Sequence, residues 1–97
     1  MTVARHLVMR GRVQGVGYRA FVEDTALDHG LAGWVRNRRN GDVEAVLAGP
    51  SAAVSAVTHA CRGGPPGARV DGIEEREATA EELALGGGVR FAVLPTI

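Results

Sequence analysis

The sequence predicts an α+β sandwich in which two helices cover one face of an antiparallel sheet. Three observations lead to it: a length of 97 residues suited to one hydrophobic core, apolar residues that alternate in some segments and recur at helical spacing in two others, and glycine- or proline-rich breaks between them. Composition agrees with a folded chain. Hydrophobic residues make up 45% and charged residues 23%, a balance that argues against disorder, collagen-like repeats and coiled coil.

Arg5 to Val13 alternates, with Leu7, Met9, Gly11 and Val13 on one parity and His6, Val8, Arg10 and Arg12 on the other, as in a half-buried strand. The turn Gln14-Gly15-Val16-Gly17-Tyr18-Arg19 leads into a helix over Ala20 to His29, whose inner stripe is expected to be Val22, Thr25, Ala26 and His29. Gly30 suits its left-handed cap. Leu31 to Asn37 reads as a second strand, Arg38-Arg39-Asn40-Gly41 as a hairpin turn, and Asp42 to Ala48 as the returning strand. Pro50 and Ser51 open a second helix with the stripe Val54, Val57, Thr58 and Cys61, which Gly63-Gly64-Pro65-Pro66-Gly67 must end. Residues 68 to 78 form a weaker strand with a bulge expected near Gly72, because Val70 and Ile73 break the alternation. Thr79 to Leu85 is helix-like but ambiguous, and Val89 to Leu94 alternates as a last strand closed by Pro95. The resulting order, βαββαβ plus one further strand segment, is the split βαβ or ferredoxin-like plan, expected to form a single domain over residues 1–97. Many unrelated activities use that plan, so function must come from particular side chains.

Charge and cysteine usage narrow the classes. All eleven basic residues are arginines, so P-loop, Schiff-base and lysine-base chemistry are excluded. Residues 1–39 hold seven arginines against three acids and residues 40–97 four against eight, a hint of an anionic ligand rather than of a nucleic-acid surface. No segment has the length and hydropathy of a membrane span or signal peptide. The lone Cys61 excludes an internal disulfide and any multi-cysteine metal site. A cytoplasmic monomer is expected.

The segment Gly11 to Arg19 carries the most chemistry. Lying between a strand and a helix start, it offers unpaired backbone amides, glycines that let a ligand approach, and the positive end of a helix dipole. Arg19 adds a full charge whose planar fork matches two phosphate oxygens. The residues alone equally allow a plain tight turn with a solvated Arg19. They also satisfy the loose dinucleotide pattern as Gly15-Val16-Gly17-Tyr18-Arg19-Ala20, but the chain is too short for a doubly wound sheet, and Asn37 and Arg38 stand where an acidic ribose ligand would be needed. Asn37 by itself reads as a strand-end residue satisfying turn backbone.

Gly11-Arg12-Val13-Gln14-Gly15-Val16-Gly17-Tyr18-Arg19 resembles the phosphate-loop signature of the acylphosphatase family, and Gly33-Trp34-Val35-Arg36-Asn37-Arg38-Arg39-Asn40-Gly41-Asp42-Val43-Glu44 resembles its second signature. The likeness runs from about Arg5 to Leu94. It implies hydrolysis of acyl phosphates to a carboxylate and inorganic phosphate without metal or cofactor. By the same resemblance Arg19 binds phosphate together with the backbone amides of Gly15, Val16, Gly17, Tyr18 and Arg19, and Asn37 is the catalytic asparagine. Tyr18 departs from the phenylalanine common at its position, and His29 from leucine. The rival class is a catalytically silent anion-binding or RNA-binding module on the same scaffold; aromatics at 4% leave RNA little to stack on. A domain of a larger carbamoyl-transfer enzyme would need more chain than this. The remaining groups are expected to be structural: Arg36, Arg38 and Arg39 a solvated turn face, Trp34, Phe91, Met9 and Cys61 core, His6, His29 and His59 uninvolved, and Glu74, Glu75, Glu77, Glu81 and Glu82 a solubilising surface.

Overall fold

A computed structural model describes residues 1–97. Its elements are β1 (Thr2–Arg12), α1 (Tyr18–Asp28), β2 (Ala32–Asn37), β3 (Val43–Pro50), α2 (Ser51–Gly63), β4 (Arg69–Glu77), α3 (Ala80–Ala84) and β5 (Phe91–Val93). They form one sheet in the order β4-β1-β3-β2-β5. Its pairs are antiparallel except β2 with β5, which run parallel. The expected all-antiparallel sheet is therefore mixed. The chain leaves β4 at one edge, makes α3, and reaches the opposite edge beside β2 running in the same sense. The last strand is also shorter than its alternation predicts, three residues in place of Val89 to Leu94.

The main core lies between the sheet and helices α1 and α2. Leu7, Met9, Val35, Val43, Ala45 and Leu47 from the strands meet Val22 and Ala26 from α1 and Val54, Val57 and Cys61 from α2, burial that supplies most of the folding drive. The α2 stripe is the one its spacing predicts, Val54, Val57, Thr58 and Cys61 all being buried. In α1 the buried residues are Tyr18, Val22 and Ala26, whereas His29 is exposed. His29 caps the helix, its Nδ1 lying 2.9 Å from the Thr25 carbonyl, and Gly30 at φ 70° turns the chain away. The bulge falls beside Gly72: β1 and β4 shift register between Arg10 and Gly11. Gly11 takes φ 127° there, and a Cβ on it would lie 2.2 Å from the Arg69 carbonyl oxygen. No side chain fits that gap.

The far face of the sheet is also covered. Trp34 is fully buried and its indole N–H donates to the Glu82 carbonyl at 2.6 Å, which docks α3 on that face. The Thr79–Glu82 capping box starts α3, so Thr79 to Leu85 does contain a helix. His6 and Val8, on the parity of β1 expected to face water, are 3% and 5% exposed.

Buried Glu44 organises this face. It accepts hydrogen bonds from Arg36 Nε at 2.7 Å and Arg38 at 2.9 Å, and lies 2.6 Å from His6 Nε2. Arg36 and Arg38 are thus not the solvated face expected of them: an acid on the neighbouring strand draws both inward, and Arg36 also stacks 4.7 Å above the Trp34 ring. The acidic stretch is likewise partly engaged, Glu74 with Arg10, Glu75 with Arg5 and Glu82 with Arg76. Burial would raise the Glu44 pKa, but hydrogen bonds from Arg38, His6 and Arg36 outweigh it and hold the carboxyl at about 2. Because the folded pKa lies below the ordinary 4.5, this stabilisation is complete above that pH and is lost as pH falls toward 2. Glu44→Gln should cost about 3 kcal/mol at pH 7, the low end for breaking a buried ion pair because Arg36 and Arg38 reach water. Urea unfolding from pH 7 to 3 should show this difference shrinking below pH 4.5; a gap that is constant with pH would refute the charge assignment.

Candidate active site

Helix α1 begins without a side-chain cap. Its N-cap is Gly17 in the left-handed region at φ 79°, Gly15 is at φ 75°, and no acid stands in the first turn. These two positive-φ glycines fold the loop so that its amides turn outward. The first intrahelical bond is donated by Phe21 to the Gly17 carbonyl, and the amides of Gly15, Val16, Gly17, Tyr18 and Arg19 donate to no group of the chain. Such a row of free donors at a helix dipole is an anion site by its chemistry.

The loop is tied to the β2–β3 hairpin by Gln14, whose side-chain amide donates to the Arg38 carbonyl at 2.7 Å and the Asp42 carbonyl at 2.8 Å. Those carbonyls flank the turn in which Gly41 alone takes positive φ, at 100°. Asn37 ends β2 one residue before this turn, so the Gln14 clamp ties the glycine loop to the strand end that carries Asn37. Sequence reading placed Gln14 in the loop but did not show that its amide faces the hairpin.

A cleft of about 400 Å³ opens between these parts, lined by Val13, Gln14, Gly15, Gly17, Tyr18, Arg19, Ala20, Glu23, Asn37 and Val93. Arg19 and Asn37 therefore meet in one pocket. Arg19 makes no ion pair, although Arg5, Arg10, Arg36, Arg38, Arg69 and Arg76 each have an acidic partner. The Asn37 side-chain oxygen is buried with no hydrogen-bond donor. That is an expensive state for an amide oxygen, roughly 1–3 kcal/mol, unless something bound in the cleft donates to it. Val16, whose amide also donates to no group of the chain, is not among the residues that line the cleft. Glu23 and Val93 were not singled out from the sequence; the four-residue step from Arg19 to Glu23 was the available signal.

Tyr18 resolves differently. Its ring is 1% exposed and its hydroxyl donates to the Cys61 carbonyl at 2.5 Å. The partner is specific for a reason. The Cys61 carbonyl sits in the last turn of α2, where the amide four residues on would be its donor, but that residue is Pro65, which has no N–H. The phenol thus satisfies a carbonyl that proline leaves without a partner, and fastens the first residue of α1 to the end of α2. Burial pushes the Cys61 thiol up to about 12, so it is no nucleophile.

The family model described as Acylphosphatase matches residues 5–91. The chain belongs to the acylphosphatase family. It is 58% identical over 92 residues to an acylphosphatase of Azorhizobium caulinodans, covering 95% of this chain and 97% of the relative. With an acylphosphatase of Rhodopseudomonas palustris it shares 50% identity over 97 residues, covering 99% and 98%. The crystal structure of acylphosphatase from Bacillus subtilis superposes with a TM-score of 0.84 at 37% identity, covering 97% of this chain and 99% of that one. The ferredoxin-like α+β fold of the acylphosphatase family, expected from the order of elements, is thereby established for the chain.

Proposed function

We propose that the Gln14–Arg19 loop holds the phosphoryl group of an acyl phosphate while Asn37 aims the attacking water. The chain hydrolyses acyl phosphates to a carboxylate and inorganic phosphate. The observation that carries the assignment of roles is the convergence on one cleft of four residues with free amides, Gly15, Gly17, Tyr18 and Arg19, with the unpaired Arg19 guanidinium and the Asn37 carboxamide.

The chemistry asks little more. The amides and Arg19 surround the phosphate oxygens and stabilise the charge that develops on them as the phosphorus is attacked. Water bonds through its oxygen to phosphorus while the bond to the acyl oxygen breaks. The electron pair leaves with the carboxylate, which is stable near neutral pH and needs no general acid, and a water proton passes to a phosphate oxygen. Asn37 accepts a hydrogen bond from the water through its side-chain oxygen and so turns a lone pair toward phosphorus, a positioning role that needs no strong base.

One chain supplies every group named, which supports a monomer as the working unit. A net charge of zero and the pairing of six arginines with acids favour a small-molecule ligand over nucleic acid. A reducing cytoplasm suits a chain whose one cysteine is a buried thiol. Because Arg19 and the amides provide the positive field, purified protein should release phosphate from acetyl phosphate far above the spontaneous rate, unaffected by EDTA. Folded protein that binds phosphate without turnover, or that holds RNA through losses at Arg19 and Asn37, would replace this reading with a silent binding module.

A further inference from the structure

The glycine loop and the hairpin that follows Asn37 are joined at one residue. Gln14 donates both hydrogens of its side-chain amide across the gap, to the Arg38 carbonyl at 2.7 Å and the Asp42 carbonyl at 2.8 Å. Carbonyl oxygens only accept, so the amide nitrogen must face them and the orientation of the group is settled. No other hydrogen bond connects residues 13–17 with residues 38–42. Packing adds little at the glycines, where a Cβ on Gly15 or Gly17 would meet nothing within 4 Å. The two carbonyls are those that close the hairpin, Asp42 accepting from the Arg38 amide at 2.8 Å and Arg38 from the Gly41 amide at 3.1 Å. Asn37 stands directly before them, fixed to the sheet by its pairing opposite Val43 and by the Ile97 amide, 3.2 Å from its carbonyl. Those bonds place Asn37 on β2 but do not reach the loop. Gln14 does, and no step of the reaction has yet been given to it.

We propose, resting on the roles assigned above, that Gln14 is a positioning residue for the hydrolysis and acts through Asn37. Its amide holds the strand end that carries the water-orienting carboxamide against the loop that carries the phosphoryl group, so that water and phosphorus meet in line. Attack tolerates little error in that approach, a misplacement of about 1 Å costing on the order of 100-fold. Phosphate affinity is a separate matter, because the loop amides and Arg19 contact the phosphoryl oxygens without help from the hairpin. Gln14 therefore governs turnover and leaves binding nearly unchanged. A tie that served folding alone would alter stability and neither kinetic constant.

The test is a double-mutant cycle with acetyl phosphate as substrate and inorganic phosphate as the competing ligand. Gln14→Met keeps an unbranched side chain of similar length without donors, and Gln14→Asn keeps the amide but shortens its reach by one methylene. Each should lower kcat about tenfold, less than a full misplacement because sheet pairing still carries Asn37, with KM and the phosphate inhibition constant within about twofold of wild type. On an Asn37→Ala background either change should alter kcat by less than about twofold, since the residue that Gln14 positions is gone. An equal loss that persists on that background, a change carried by KM and phosphate inhibition, or a folded variant with wild-type kcat overturns the proposal. So does failure of both variants to fold, read by urea unfolding, which would make Gln14 a stability residue alone. Failure of the underlying roles shows separately, as wild-type turnover in the single variant Asn37→Ala.

Discussion

Arg19→Ala should lose at least about 100-fold in kcat/KM for any acyl phosphate, the scale seen when one preorganised donor to a developing oxyanion is removed. The guanidinium is the only full positive charge lining the cleft, and it is uncommitted to any acid. No other cation lines the cleft, and Arg36 and Arg38 are engaged by Glu44 on the far face of the sheet. Arg19→Lys should also be badly impaired, because an ammonium on a flexible stem keeps the charge but loses the planar fork that meets two oxygens at once. Steady-state kinetics of the two variants separate charge from geometry. Near-normal rates in the lysine variant would remove bidentate binding from the mechanism. Both variants should keep wild-type stability, since the native side chain forms no bond within the fold.

Asn37→Ala should likewise cost about 100-fold or more in kcat, with unfolding free energy no lower than wild type. The two effects have a common cause. The side-chain oxygen of Asn37 is buried and has no donor within the chain, so folding strips it of water without compensation. Truncation removes the liability together with the function. Asn37→Asp sharpens the test, since it keeps shape and acceptor but sets a negative charge beside the phosphoryl dianion, and should be slow as well. An aspartate variant as fast as wild type would point instead to general-base catalysis at this position. Kinetics and urea unfolding on the same preparations check both parts.

Much of the site was readable along the chain because its parts are local. The free amides, the two positive-φ glycines and Arg19 fall within six consecutive residues, and a strand–turn–helix pattern is enough to foresee donors pointing outward. Asn37 is legible only through its motif, since a strand-end asparagine before a turn has an ordinary structural use. Gln14 lay in view without a sign of its role. Which carbonyls a glutamine amide reaches depends on a hairpin that starts 24 residues later, as the contact with Arg38 shows.

The linear order of residues determined the element sequence, the α2 stripe, the bulge beside Gly72 and the glycine loop with its free amides, because each rests on side-chain periodicity or on backbone torsion over a few neighbouring residues. Only the folded molecule decided which charges are spent on structure. Glu44 takes up Arg36, Arg38 and His6, the last of them 38 residues distant in sequence, and Tyr18 meets a carbonyl left open by Pro65. Ion pairing and burial are set by distances across the sheet, and a net charge of zero or a run of arginines cannot say which guanidiniums remain free. Packing left Arg19 free and aimed it at the cleft of Asn37.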